Sequence, residues 1–391
     1  LCGGVVSLWW RWGRDRQYVE EHWPGAATPE QRVPLFASRT LPTEMAPPDG
    51  LRPGQMGLLV DERADTLDVT ATLIDLAVRG YLSITELPKE GWFGKTDWRL
   101  ELKKQPDASL LAYERMVFDG LFGARTTVRL SDLRDQFFKT LTQAKTALYD
   151  DAVSRGWFLR RPDAVRIGWL IAGILMVGLG VVFTVVLGRL SGSGLLGLPV
   201  VGAGFLLTLM ARHMPRRTAK GTAVLRRVLG FAQFIRSAGE GPVPDTMQAS
   251  HFSTYLPHAL AVGYAGRWAR AFPNLDIRDA TRDWYAGRGL IDSSTFSQNL
   301  GQFSSSVSSA ISSTPGGGGG TLSESASRFS PSELRSAWAW TPAQSRADTS
   351  VGVSSAALRR AVMASSVNPS SRAAPAPSSA HRRLCPAMYG D

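Results

Sequence analysis

Cysteine is nearly missing from this chain: among 391 residues only Cys2 and Cys385 carry a thiol, at opposite ends. That excludes a disulfide framework and a structural zinc or iron–sulfur site, which needs several ligands at close spacing. Lysine is scarce as well, 7 of the 44 basic residues, and none follows Lys220. The five histidines, His22, His213, His251, His258 and His381, are scattered, with no acid at metal-site or triad spacing. No phosphate loop ending in Lys-Ser or Lys-Thr is present, and the run Gly316 to Gly320 lacks a flanking strand and helix. The chain therefore offers no catalytic, cofactor-binding or metal-binding constellation, and a non-enzymatic protein without a small-molecule substrate is expected. His258, in an apolar stretch, reads as a hydrogen-bonded core residue.

Charge is lacking altogether from two apolar runs. Ile167 to Leu187 holds 21 uncharged residues, about 31 Å of helix at ~1.5 Å per residue, the thickness of a hydrocarbon core. After Arg189 and Ser191-Gly192-Ser193-Gly194 comes a second run, Leu195 to Met210, which suffices as a span over 192–210 if the glycines enter the membrane edge. Neither run holds an ionisable residue, which disfavours a substrate or proton path. Arg155, Arg160, Arg161 and Arg166 precede the pair and Arg212, Arg216, Arg217 and Lys220 follow it, while the connection carries Arg189 alone. Positive residues are retained on the cytoplasmic side. The expectation is a multi-pass cell-membrane protein with its large soluble regions cytoplasmic. Leu1 to Trp10, ending in a Trp pair before Arg11, reads as the inner end of a further membrane helix.

From Arg212 to Arg236 there are seven positive residues and no acid. Arg212, Arg216, Arg217 and Lys220 leave the membrane first and are expected at anionic lipid headgroups, at about 1 kcal/mol each. The apolar face of Leu225, Val228, Leu229, Ala232 and Ile235 is expected to pack on a helical stretch from Phe252 to Phe272, broken at Pro257.

Residues 11–53 form a proline-rich juxtamembrane arm. Beyond it, Leu67, Val69, Leu73, Leu76 and Ala77 give a helical face that stops at Gly80, and Tyr81–Ile84 and Trp98–Leu102 alternate as two strands around a wing-like loop. Leu110 to Phe122, Val128–Leu130 and helical material begun by Ser131, continuous or broken by a turn near Lys139, repeat this order, and Asp75-Leu76-Ala77-Val78-Arg79-Gly80-Tyr81 is echoed by Asp151-Ala152-Val153-Ser154-Arg155-Gly156-Trp157. Two winged-helix-like units in tandem are expected over 54–162, a helical region over 211–292, and a disordered Ser/Gly/Ala-rich tail over 293–391. The fold class is an α+β multi-domain membrane protein.

The stretches Pro47-Pro48-Asp49-Gly50-Leu51-Arg52-Pro53-Gly54 and Leu73 to Leu82, the apolar pair, Thr218-Ala219-Lys220-Gly221, Gly230-Phe231, Tyr255 to Gly263, Trp268 and Trp284-Tyr285 together resemble the bacterial predicted membrane proteins called domain of unknown function 2207. The resemblance covers roughly Arg11 to Gly287 and implies an extracytoplasmic part and a membrane helix ahead of Leu1, but no chemistry. Two features depart from it: His258 replaces a common aromatic, and the tail turns to Arg, Pro and Ala after Gly320. The function expected is a membrane-anchored interaction or signal-relay module that meets the bilayer and a protein partner. The alternatives are a component of a transport or export assembly and a membrane-tethered DNA-binding regulator. DNA is disfavoured by Asp65, Asp68 and Asp75 on the first candidate helix, which would repel phosphate.

Overall fold

Asp65 starts the helix around which the soluble core forms. Its Oδ1 accepts the backbone N–H groups of Leu67 and Asp68 at 2.8 and 3.1 Å, and Asp68 Oδ2 accepts the Asp65 N–H at 3.1 Å, a reciprocal N-terminal cap. The computed structural model describes residues 13–18, 30–33, 41–88, 96–238, 249–272, 275–287 and 293–313, together with Gly3, Gly4 and Ser7. Most of the expected helix at 1–10, the wing tip at 89–95 and the tail after 313 lie outside the described residues.

The soluble elements are α1 (Pro53–Asp61), α2 (Thr66–Val78), α3 (Ala112–Phe122), α4 (Phe138–Ser154), α7 (Ala219–Ser237), α8 (Ala249–Ala261), α9 (Ala265–Arg270), α10 (Ile277–Thr281) and α11 (Ser293–Ser312). Strands β3 (Leu82–Glu86), β4 (Trp98–Leu102), β5 (Thr127–Arg129) and β6 (Tyr285–Ala286) make a sheet in the order β5-β4-β3-β6. β3 and β4 are antiparallel, Leu82 opposite Leu102 and Ile84 opposite Leu100, whereas β6 runs parallel to β3. The apolar pair forms α5 (Pro162–Ser191) and α6 (Leu198–Met210).

The echo between the two halves holds hydrogen bond for hydrogen bond. α2 ends with Gly80 at φ +79°, its N–H donating to the Ala77 carbonyl and that of Tyr81 to Leu76, both at 2.9 Å. α4 ends with Gly156 at φ +75°, with Gly156 donating to Val153 at 2.9 Å and Trp157 to Ala152 at 3.0 Å. A left-handed residue there favours glycine because it has no Cβ. In both copies an aspartate pairs with an arginine four residues on, Asp75 with Arg79 and Asp151 with Arg155. The tandem arrangement itself needs correction. β5 is the third strand of the first sheet, and Trp157-Phe158 leads to no wing: Phe158 instead bridges Arg217, beyond the apolar helices. Nor does α4 begin at Ser131. Asp135 adopts φ +61°, the helix starts at Phe138, and the Ser131 hydroxyl donates to Asp97 at 2.8 Å.

Residues 54–162 and 211–292 are not separate domains. Leu73, Leu100, Phe122, Phe231, Trp268 and Tyr285 belong to one continuous buried core. α7 packs on α8 and α9 as its apolar face implies: Phe231 meets Tyr255 at 5.4 Å and Phe234 meets Trp268 at 6.2 Å. α8 runs through Pro257, and the break expected there falls at Gly263, φ +78°. In the arm, β1 (Arg16–Tyr18) and β2 (Glu30–Arg32) pair antiparallel, which their polar sequences did not signal.

The expectation of disorder from Ser293 is overturned over its first twenty residues, which form α11. Phe296, Leu300, Phe303, Val307 and Ala310 recur at spacings of four and three and are all buried. Phe303 meets Trp98 at 5.6 Å, Phe296 meets Phe252 at 5.8 Å, and the hydroxyls of Ser308 and Thr66 share a hydrogen bond at 2.8 Å. Serine composition concealed a regular apolar stripe.

α5 and α6 lie against each other through small residues. A Cβ on Gly204 would come within 2.6 Å of the Val177 nitrogen, and one on Gly173 within 2.8 Å of the Thr208 nitrogen. Only glycine permits this approach. The outer surface is apolar, with Leu175 and Leu179 each 67% exposed. Both helices are long and apolar enough to cross a membrane, Pro162–Leu190 and, with its flanking turns, Gly194–His213.

The packing of α11 predicts that Phe303→Ala lowers unfolding stability by about 3–5 kcal/mol, while Ser305→Ala on its exposed side changes it by under about 0.5 kcal/mol. Denaturant titration in neutral detergent checks this; equal effects would mean that α11 is not part of the core.

Candidate functional site at the base of the apolar helices

The chain leaves the soluble core at Pro162 and returns at Met214, and three charged residues meet at that junction. Glu62 terminates α1 in the left-handed conformation, φ 62°, with its N–H on the Leu58 carbonyl. Its Oε1 lies 2.7 Å from Nη1 of Arg217, which follows α6, and its Oε2 lies 3.5 Å from Nη2 of Arg166, in α5. Arg166 also donates to the Glu62 carbonyl at 3.1 Å. One glutamate thus holds both ends of the apolar pair.

Arg217 is buried and its donors are used. Nε and Nη2 donate to the Leu59 carbonyl at 3.1 and 2.8 Å, Nη2 also to Val60 at 3.1 Å, and Nη1 to Asp15 at 3.2 Å. The carbonyls of a helix's last turn lack partners within the helix, so a guanidinium suits this place. Burial opposes its charge, but Glu62 and Asp15 more than offset this and raise the Arg217 pKa above its usual value. The headgroup contact expected of Arg217 is corrected accordingly: its side chain is an internal clamp. Arg212 and Lys220 are exposed, and Arg216 is partly exposed. Burial, together with Arg16, Arg32 and Arg160, pushes the Arg216 guanidinium down.

Thr218, next in sequence, caps α7. Its hydroxyl accepts the Gly221 N–H at 3.0 Å and donates to the Gly156 carbonyl at 2.6 Å. A Cβ at Gly221 would lie 2.2 Å from the Trp157 carbonyl oxygen. Thr218-Ala219-Lys220-Gly221 is therefore the seam between the returning chain and the end of α4.

A second ionic group lies inside the core, where Arg79 meets Asp75 and Glu114, each at 3.2 Å, and Arg52 meets Glu114 at 3.5 Å. Burial raises the Glu114 carboxyl, against the pull of the Leu111 N–H and Arg79. This group links α2 to α3 and to the residue before α1. A cleft of about 580 Å³ between β5 and α11, lined by Arg129, Arg134 and several serines, gathers no comparable chemistry. Among the described residues no cluster suited to a metal ion occurs. Sequence reading placed Arg166 and Arg217 correctly beside the apolar runs but missed Glu62 and Asp15. Glu62 stands 104 positions from Arg166 and Asp15 202 positions from Arg217, so nothing local in the sequence pointed to either.

His258 is buried, with Nε2 3.0 Å from the Leu51 carbonyl and Nδ1 3.2 Å from that of Thr254. Neutral imidazole has one N–H and can serve only one of these acceptors.

The clamp predicts that Glu62→Ala, which removes the ion pair of Arg166 and leaves Arg217 with Asp15 alone, destabilises the protein by about 3 kcal/mol. Arg217→Ala should do likewise, and the double variant should lose less than the sum by at least about 1 kcal/mol. A double-mutant cycle of denaturation midpoints in detergent measures this; simple additivity would show that the residues act independently. A pH effect follows from His258. Burial holds its pKa below the unfolded value of 6.5, so the unfolded state takes up the proton first. Its contribution is complete above that pH and declines as pH falls below it. Between pH 7.5 and 5.5 the wild type should lose about 1 kcal/mol more than His258→Phe; parallel curves would contradict it.

No curated protein and no solved structure matches this chain. Residues 43–272 match the family model described as predicted membrane protein (DUF2207), C-terminal domain. That range begins in the arm, takes in α1, both apolar helices and the clamp from Glu62 to Arg217, and stops before β6 and α11 complete the core. It covers more than half of the chain, which therefore belongs to the DUF2207 family of predicted membrane proteins.

Proposed function

We propose that this is a multi-pass membrane protein in which α5 and α6 cross the bilayer as a hairpin, with one cytoplasmic α+β domain joined rigidly to both of its ends. The domain serves as a non-enzymatic interaction or relay module, passing changes in the hairpin to a protein partner. The observation that carries this reading is the clamp: Glu62 binds Arg166 on the outgoing helix and Arg217 on the returning chain. A displacement of either helix end is felt at α1. Arginines on both flanks and Arg189 alone in the connection favour the cytoplasmic side for the domain. Against the DNA-binding reading stands α2, buried from Asp68 to Ala77, which leaves little of its surface for a groove.

The test uses single cysteines at Ser193, Ser154 and Ser237 in a chain with Cys2 and Cys385 replaced by serine. An impermeant thiol reagent added to intact cells should label Ser193→Cys alone, the other two reacting only after permeabilisation. The same Ser154→Cys, carrying a fluorophore, should shift its emission when bilayer thickness changes hairpin tilt, and Glu62→Gln should abolish the shift. Outside labelling at Ser154→Cys or Ser237→Cys removes the topology. An emission indifferent to thickness removes the relay.

A further inference from the structure

The backbone at Arg217 runs within a short ribbon. Phe158 bridges it, the Arg16 N–H donates to its carbonyl at 3.3 Å, and β1 pairs onward with β2, setting Arg16 opposite Arg32. Side chains alternate across extended backbone. Phe158 and Arg217 are buried, whereas their neighbours Leu159 and Arg216 fall on the other face, Leu159 being 62% exposed. Arg160, exposed, comes next. Four arginines from four chain segments meet around this ribbon: the Arg16 backbone is bonded to that of Arg217, Arg32 stands opposite Arg16, and Arg160 follows Leu159 beside Arg216, whose pKa is lowered by burial and by the charges of the other three. Arg16 pairs with Glu30 at 3.1 Å. Arg32, Arg160 and Arg216 have no ion-pair partner among the described residues. Gathered like charges repel unless an anion completes them.

The position of the group indicates which anion. Arg160 lies just before Pro162, where α5 begins, and Arg216 shortly after Met210, where α6 ends. Leu159, exposed between the arginines, supplies an apolar contact that a dissolved anion would not need. Guanidinium groups match phosphate oxygens two at a time. We propose that Arg16, Arg32, Arg160 and Arg216 form a binding site for the phosphate of an anionic phospholipid headgroup, with Leu159 at the acyl boundary beside it. This rests on the membrane reading above and replaces Arg217 in the expected contact with residues from the arm and from the segment between α4 and α5.

The full chain in neutral detergent is titrated with dioctanoyl phosphatidylglycerol, dioctanoyl phosphatidylcholine and inorganic phosphate, and bound lipid is counted by native mass spectrometry. The glycerol lipid should bind saturably, at least tenfold tighter than the choline lipid, and weaken as salt rises. Arg160→Gln/Arg216→Gln should weaken it about thirtyfold, the equivalent of about 2 kcal/mol at 1.4 kcal/mol per decade. Arg270→Gln/Arg278→Gln, on helices away from the ribbon, should leave it unchanged. Equal binding of the two lipids, or equal loss in both variants, would overturn the site. Displacement of the lipid by equimolar inorganic phosphate would assign the site to a free anion and overturn the lipid. Should the variants fail to fold, the salt dependence and lipid selectivity of the wild type decide the matter independently. Lost selectivity with intact cysteine labelling leaves the hairpin standing without the site; retained selectivity with failed labelling leaves a peripheral lipid binder.

Discussion

A single carboxylate, that of Glu62, ties the two ends of the apolar helix pair to the core that the chain builds on both sides of them. The chain departs from its hydrophobic core into some fifty residues of apolar helix and connection and must come back to the same core, because α7, α8 and β6 complete what α2 and β3 begin. Glu62 fixes both crossing points at once, through Arg166 and Arg217. Arg166, Arg217, Glu62 and Asp15 sum to zero formal charge, two of each sign. Ion pairs withdrawn from water add little net stability, since desolvation offsets most of the attraction. What they supply is place: an apolar contact would tolerate sliding of the helix ends, whereas a guanidinium that must meet two helix carbonyls and two carboxylates does not.

The same junction shows why residue type alone misassigns role. Arg216 and Arg217 are adjacent and chemically identical, yet one is partly exposed beside three other arginines and the other is sealed under α1. The period of extended backbone separates them, and its register is set by Phe158 on one side and β1 on the other. Neither partner lies near in sequence, so a charge count over 212–220 groups residues that the fold divides.

Legibility followed the range of the interactions. The apolar helices were plain because their lack of charge is local and continuous, and α2, β3 and β4 because apolar helical face, glycine terminator and alternation all fall within forty residues. β6, two residues long, pairs with a strand some two hundred positions away and has no pattern of its own. The unity of the core was equally hidden, since a composition break at the apolar helices looks the same whether it divides two domains or interrupts one. α11 is a different case. The spacing of Phe296, Leu300, Phe303 and Val307 was present in the sequence, but serine content weighed more heavily than periodicity in its reading. Periodicity should take precedence wherever aromatic residues sit at helical spacing.

The repeated Asp-Arg-Gly-aromatic ending joins these observations. Both copies close a helix with the same cap, and in both the arginine lies over the aromatic ring two residues on, Arg79 above Tyr81 at 5.1 Å and Arg155 above Trp157 at 5.5 Å. After the first copy the chain continues as β3, which pairs with β4 within twenty residues and forms a sheet, Leu82 opposite Leu102. After the second, Phe158 finds its pairing partner only beyond α5 and α6, at Arg217. The apolar helices thus stand where the first copy has the connection between β3 and β4: two extended segments pair with each other, and what lies between them in the second copy is a pair of helices. The insertion needs no change in the core, because the core requires only that the second segment return beside the first. That requirement is met by the Thr218 hydroxyl on Gly156, by the close approach at Gly221 and by Glu62, all of them at the seam and none within the helices.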